Sequence, residues 1–365
     1  MPDFTGGGID ALPKESRSIG NVEIDQQIRN LIENYGCKSS CELIQEMIVT
    51  ALKTGRDGHS VADLKLFNRS LKEMRNAARA FGGYVNRPKV AIFGSARTPL
   101  TDPAAVTARE FAAKMKEAGY MIITGGGDGI MGAAQAGAGR EDSFGLNIRL
   151  PFEQRANEWI EGDPKLINFN YFFTRKLNFV KETHAVALFP GGFGTLDEGF
   201  EVITLLQTGK ARILPIVFVD KPGGTYWKTL LEFLTNHLLR HGLVSPDDFR
   251  LFYLATDVAD AVDHILRFYK NFVSYRWVRK TLVLRLRRPL TPKALDALNR
   301  GFSKLLVSGR IEASPALPEE ANQPEIAHLP RLVLNPDRHN FGLIRALIDA
   351  INEAPVEKEI AREDS

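Results

Sequence analysis

The sequence predicts an α/β protein: a doubly wound, mainly parallel sheet, preceded by a helical extension and followed by a small α+β unit. Three observations carry this reading. Short apolar runs alternate with helical stretches from 87 to 272. Those runs are apolar nearly throughout, as in strands covered on both faces. Three of them end in small or glycine residues. Alternating βα units of this kind make a parallel sheet with helices on both sides.

The elements follow in order. Residues 1–20 read as a flexible tail. From 22 to 81 the pattern is helical: "IDQQIRNLIENYG" spaces Ile24, Ile28, Leu31 and Ile32 at helical intervals and stops at a glycine. "CELIQEMIVTALKTG" and "VADLKLFNRSLKEMRNAARAF" repeat that grammar, so two or three helices are expected. The strand candidates then run "KVAIFGS", "YMIITGGG", "FGLNIRLP", "KLINFNYF", "AVALFPGG", "ILPIVFVD" and "RLFYLAT", most of them separated by helical stretches. Beyond 272, "KTLVLRLRRP" alternates leucines with basic residues, which predicts one covered face and one wet face. A helix over "PKALDALNRGFSKLLVSG", a Pro- and Glu-rich loop, a strand "RLVLN" and a helix "NFGLIRALIDAIN" complete a strand, helix, strand, helix order. The polar end "PVEKEIAREDS" reads as frayed. The expected domains are therefore 1–86, 87–272 and 273–365.

Composition narrows the function classes. The 365 residues are 44% hydrophobic and 25% charged, which suits one large core with smaller units attached. A net charge of +3 gives no global pull toward nucleic acid. The first residues lack a basic start followed by an apolar run, and no stretch nears the roughly 20 apolar residues of a membrane span. The expectation is a cytoplasmic protein with no membrane partner. Cys37 and Cys41 would need two more ligands for a structural zinc site, and the nearest histidine is His59. They read as ordinary thiols, free or partly buried.

In open α/β sheets, ligands bind outside the carboxyl ends of the strands. Three candidate strands end there in glycine-bearing turns: "VAIFGSAR" (90–97), "MIITGGGDGIMGA" (121–133) and "VALFPGGFGT" (186–195). Glycine lets backbone approach a ligand closely. The helix start that follows offers unpaired N–H groups and partial positive charge to an anion. One such turn is commonly structural; three at one sheet edge point to a ligand site. "GGGDGIMG" lacks the Lys-Ser/Thr of a P-loop, so it does not read as an ATPase. It contains a G-x-G-x-x-G at Gly127, Gly129 and Gly132, but the next strand ends without the acid a dinucleotide site needs. The turn reads as a phosphate or nucleotide contact.

Arg175 and Lys176 lie on a helix just before the strand leading into "PGGFGTLDE", and Glu198 follows on the first turn of the next helix. Spacing alone leaves two readings open. They are solvated helix charges, with Glu198 favoured by the helix dipole, or they meet at the sheet edge and do chemistry.

The motifs resemble a known family. "PGGFGTLDE" (190–198) fits PGGxGTxxE, "GGGDGIMGAAQAGA" (125–138) fits GGGxGxMxAAxxGA, and "RK" stands at 175–176. Together they resemble the LOG family of cytokinin riboside 5′-monophosphate phosphoribohydrolases, often labelled "lysine decarboxylase-like". The resemblance covers roughly 87 to 270 and looks like the longer bacterial branch. It implies a Rossmann-like core and hydrolysis of the N-glycosidic bond of a nucleoside 5′-monophosphate, of AMP or N6-modified AMP type, to free base and ribose 5-phosphate. It implies no metal, no cofactor and a homodimer or larger homo-oligomer. By motif match Arg175 and Glu198 are the catalytic pair. Gly94, Ser95, Gly125, Gly126, Gly127, Lys176, Gly191, Gly192, Gly194 and Thr195 are the expected substrate contacts.

The residue types suit that chemistry. Breaking the C1′–N bond builds positive charge on the ribose. A carboxylate such as Glu198 stabilises that charge and activates or positions water. Arginine stays protonated, so Arg175 orients phosphate or departing base rather than donating a proton. A lysine decarboxylase would need a Schiff-base lysine and a partner for the pyridinium nitrogen of its cofactor, and nothing in the sequence marks Lys176 or another lysine for that role. The alternative function is a non-catalytic nucleotide-binding or carrier protein on the same fold. Between 274 and 310 stand ten Lys or Arg and a single acid, Asp296. That reads as a solvated face or as a site for an anionic effector, with nucleic acid disfavoured because no recognisable module surrounds it.

Overall fold

The computed structural model describes residues 17–37, 40–150 and 155–357. The expected N-terminal tail falls mostly, and the frayed C-terminus largely, outside them. The chain divides into two compact units, Ile9–Asn76 and one built on Ala77–Ser365.

The smaller unit holds α1 (Val22–Tyr35), α2 (Cys41–Arg56) and most of α3 (Val61–Gly82). Asn21 caps α1 by accepting from the Glu23 and Ile24 amides, and Gly36 ends it at φ 81°. Ile28 and Ile32 of α1 meet Val49 of α2 in a small core. The Cys41 thiol donates to the Cys37 carbonyl at 3.4 Å. Among the described residues no three or more His, Cys, Asp or Glu side chains gather to hold a metal ion, and no helix is long and apolar enough to cross a membrane.

The larger unit carries the expected sheet. Its strands are β1 (Lys89–Phe93), β2 (Met121–Thr124), β3 (Ser143–Ile148), β4 (Leu166–Phe169), β5 (Ala185–Leu188), β6 (Ile216–Phe218) and β7 (Tyr253–Leu254). They lie in the order β4-β3-β2-β1-β5-β6-β7, every neighbouring pair parallel. The intervening helices are α4 (Pro103–Glu117), α5 (Ile130–Ala138), α6 (Phe172–Glu182), α7 (Phe193–Gln207), α8 (Tyr226–Phe233) and α9 (Val258–Phe268). Period-two alternation sends β1 side chains to two cores. Val90 and Ile92 pack with α4, α5 and α9, while Ala91 and Phe93 pack with α6 and α7. The last turn of α3 joins the second core, where Phe81 stacks on Phe144 at 4.3 Å.

Strand order reverses between β1 and β5. The chain builds outward through β2, β3 and β4 on one side, then through β6 and β7 on the other. The two turns leaving β1 and β5 therefore diverge, and a crevice opens between them.

The C-terminal segment corrects the expected strand, helix, strand, helix order. It is a four-stranded antiparallel sheet of β8 (Phe272–Val278), β9 (Thr281–Leu286), β10 (Leu306–Ser314) and β11 (Arg331–Pro336), in the order β10-β11-β9-β8. Helices α10 (Pro292–Gly301) and α11 (Phe341–Glu353) accompany it. Two strands escaped the sequence reading. β8 joins β9 through Arg279-Lys280, a two-residue hairpin in which Arg279 holds φ 55°. Such turns are normally signalled by Asn-Gly or Asp-Gly. β10 is an edge strand, mostly exposed and broken in register, so it lacks apolar alternation. Its first residues fell inside the predicted helix, which instead ends at Gly301. One hydrophobic core runs from the parallel sheet into this antiparallel one.

The wet face expected for "KTLVLRLRRP" is also corrected. Arg285 is buried because Glu320, on the Pro-rich loop, pairs with it at 2.5 Å and with Arg331 at 3.2 Å. Burial alone would raise the Glu320 carboxyl, but hydrogen bonds from Arg285 and the Leu317 amide outweigh it and hold it below the usual glutamate value. The stabilisation is therefore present above the unfolded-state pKa and is lost as pH falls through the lower folded one. Glu320→Ala strands two buried guanidinium groups, and denaturant unfolding at neutral pH should show a loss of roughly 3–5 kcal/mol. A loss below about 1 kcal/mol, the level of a surface pair, would remove the pair from the stability account.

Candidate active site

The crevice at the switch point is a cavity of about 730 Å³. Gly94, Ser95 and Arg97 line it from the turn after β1, and Gly191, Gly192, Gly194 and Thr195 from the turn into α7. The two turns are fastened to each other, and the second also to α8. The Ser95 amide donates to the Pro190 carbonyl at 3.1 Å, and the Tyr226 hydroxyl donates to the Gly191 carbonyl at 2.6 Å. Gly191 is required by close approach: a Cβ there would lie 2.1 Å from Thr195 Oγ1 and 3.0 Å from the Ser95 nitrogen. Gly191→Ala should therefore force the two turns apart, costing about 1–3 kcal/mol in thermal or denaturant unfolding. A variant as stable as wild type would mean that the turn relaxes freely.

α7 begins at this floor, with Gly192 as its N-cap. The first N–H groups of a helix have no partner within it, and the helix dipole adds partial positive charge. The cavity thus has the positive end of a helix at its floor, with Thr195 and Arg97 among its lining residues. Around Gly192 and Gly194 there is open space where a side chain would otherwise stand.

Arg175 and Glu198 form one wall of the cavity. Their side chains are 11% and 8% exposed, and Arg175 Nη1 donates to Glu198 Oε1 at 3.2 Å. Arg175 Nε donates to the Leu146 carbonyl at 2.7 Å, and its guanidinium lies over the Phe179 ring at 5.0 Å. Gly125 makes room for it, since a Cβ there would stand 2.7 Å from Arg175 Nη2. Burial pushes the Glu198 carboxyl above its ordinary value, and Arg175 and Lys176 oppose that shift. Burial lowers the Arg175 guanidinium, with Glu198 opposing, but arginine starts so high that it remains charged. The reading of these residues as solvated helix charges does not fit this geometry.

Other expected contacts are placed differently. Gly125, Gly126 and Gly127 do not line the cavity. Their turn is closed from behind by Asn157, whose side chain donates to the Gly126 and Gly127 carbonyls at 3.1 and 2.8 Å. The amide opening α5, Ile130 N, is taken by the Ser95 carbonyl at 3.0 Å. This glycine run thus supports the site wall. Lys176 does not line the cavity either; its ammonium faces Asp197 at 2.7 Å, Glu201 at 2.8 Å and Glu198 at 3.8 Å. Burial alone would lower Lys176, but the hydrogen bonds to Asp197 and Glu201 outweigh it and keep the ammonium above the usual lysine value. Such a lysine is a poor Schiff-base former, which requires a neutral amine.

Among the lining residues left unassigned in the sequence are Arg97, Met131, Phe172, Asp197 and the 94%-exposed Phe193. Phe172 and Phe193 carried a signal, each being an aromatic beside a site motif. The basic stretch 274–310 resolves into separate pieces. Arg285 is buried against Glu320, and Arg310 pairs with Asp296. Arg279 and Lys280, with Arg338 and His339, line a second cleft of about 950 Å³ that also holds Glu319 and Asp337.

Parts of the chain are similar to known proteins. Residues 131–265 match the family model described as "Possible lysine decarboxylase". The match covers less than half of the chain. Over 160 residues the chain is 29% identical to a probable cytokinin riboside 5′-monophosphate phosphoribohydrolase of Oryza sativa subsp. japonica, covering 42% of this chain and 62% of that protein. It is 31% identical over 98 residues to a cytokinin riboside 5′-monophosphate phosphoribohydrolase of Arabidopsis thaliana, covering 27% of this chain and 43% of that one. The chain thus spans less than two thirds of either relative. Among solved structures, a Moco carrier protein from Chlamydomonas reinhardtii aligns with TM-score 0.32 and 19% identity, over 50% of this chain and 96% of that one. A molybdenum cofactor binding protein from Rippkaea orientalis aligns with TM-score 0.34 and 18% identity, over 48% and 94%. The matched stretch covers α6, β5, α7 and most of α5, so Arg175, Lys176, Glu198 and the α7 turn all lie within it.

Proposed function

We propose that this protein hydrolyses the N-glycosidic bond of a nucleoside 5′-monophosphate, of AMP or N6-modified AMP type, releasing free base and ribose 5-phosphate. The observation that carries the reading is the buried Arg175–Glu198 pair beside a cavity whose floor is the start of α7. The 5′-phosphate sits on the α7 amides, Thr195 and Arg97. Ionised Glu198 stands near C1′, stabilises the charge that grows on the ribose and orients the attacking water. Arg175 stays protonated and holds phosphate or the departing base by hydrogen bonds.

A protein that only carried a nucleotide would gain nothing from Glu198. A buried carboxylate beside an anion site repels the ligand and costs desolvation. The test is incubation with a panel of nucleoside monophosphates followed by chromatography for free base. Release from at least one of them is expected. Tight binding of a nucleotide without release of base from any would favour the carrier reading. A homodimer belongs to the same proposal, since Phe172, Phe173 and Leu177 of α6 stand half-exposed. A monodisperse monomer in light scattering would count against it.

A further inference from the structure

We propose that Lys176 is a positioning residue: it gathers the three carboxylates Asp197, Glu198 and Glu201 of α7 onto one ammonium and thereby keeps Glu198 ionised and aimed at the cavity. This rests on the hydrolase reading above.

The geometry is specific. Asp197, Glu198 and Glu201 stand within about one turn of helix, so their charges repel one another. Glu198 is the buried member. Arg175 holds its Oε1 at 3.2 Å, and Lys176 faces its Oε2 at 3.8 Å, so each oxygen has its own cation. Lys176 makes its short contacts to the other two acids, Asp197 at 2.7 Å and Glu201 at 2.8 Å. It thus does two things at once. It adds attraction to Glu198, and it neutralises the two neighbours that would otherwise drive a proton onto it. The charged groups facing Glu198 are Arg175 and Lys176 from α6 and Asp197 and Glu201 from α7. Arg97 lines the same cavity from the turn after β1. Asp197 also lines the cavity, and its contact with Lys176 at 2.7 Å offsets its negative charge there.

Lys176→Met removes the charge and keeps the length and apolar stem. The acid limb of the kcat/KM–pH profile should move to higher pH by about one unit, with activity on that limb down roughly tenfold. Lys176→Arg should hold the limb near its wild-type position. Glu201→Gln should move it the other way, to lower pH, because Lys176 is then shared by fewer acids and one repulsion is gone. Carboxylate ¹³C NMR of Glu198 in the nucleotide-free protein should show the same ordered shifts, whatever the enzyme turns over. If the Glu198 titration is the same in wild type, Lys176→Met and Glu201→Gln, the proposal is wrong. It is equally wrong if Lys176→Arg behaves like Lys176→Met, which would mark a packing role. If the NMR shifts appear but no nucleotide is cleaved, the positioning role stands and the hydrolase reading falls.

Discussion

On the proposed hydrolase reading, Glu198→Gln is expected to lose roughly a thousandfold in turnover while keeping the fold and nucleotide binding. Glutamine has the shape of glutamate, and its amide oxygen still accepts from Arg175. What it lacks is the negative charge that grows in value as the ribose becomes cationic. The surroundings favour a large effect: the carboxylate is buried, and a charge in a dry site is worth more than one in water. The pH profile of the wild type belongs to the same prediction. Burial raises the Glu198 carboxyl, so activity that requires the ionised form should fall away as pH drops through a point above the ordinary glutamate range. The same direction makes the ionised carboxylate a cost to stability at neutral pH, a cost relieved as pH falls through the raised folded-state value. Steady-state kinetics against pH with any cleaved nucleotide checks both parts. Near-wild-type turnover in Glu198→Gln would end the role assigned to this residue.

Arg175→Met should lose both activity and stability, and that contrast separates the two partners. The guanidinium satisfies the Leu146 carbonyl and Glu198 Oε1 at once. Removing it leaves a carbonyl without its donor and a buried carboxylate with only the more distant Lys176. Breaking a buried pair from one side costs roughly 3–5 kcal/mol, and a lost transition-state contact about a hundredfold in turnover. Glu198 loses an opposing cation as well, so any remaining activity should have its acid limb at higher pH than wild type. Denaturant unfolding and a pH–rate series read these effects separately. A fully stable Arg175→Met protein with reduced turnover would place Arg175 in binding alone, without a part in holding the wall.

The parallel half of the fold was legible because its signals are local. Each strand is a short apolar run, each helix has its periodicity, and the turns carry glycine. The antiparallel half was less so. Arg279-Lys280 forms a tight hairpin without the residues that normally announce one, and β10 becomes a strand through its pairing with β11. Arg285 looked like the wet side of an amphipathic strand, because the carboxylate that buries it comes from Glu320, 35 residues away.

The site divides along the same line. Sequence by itself determined the doubly wound class, the glycine turn before α7 and the identity of Arg175 and Glu198 as charged groups on consecutive βα units, since spacing and residue type are local properties. Tertiary structure decided what those groups do to each other. Strand order placed β1 beside β5, which made one cavity of two distant turns and left the third glycine run, 125–127, to brace the wall. It also turned Lys176 from an expected ligand contact into the shared counter-ion of three acids. Burial and separation set the strength of a charge pair, and neither exists until distant parts of the chain pack together.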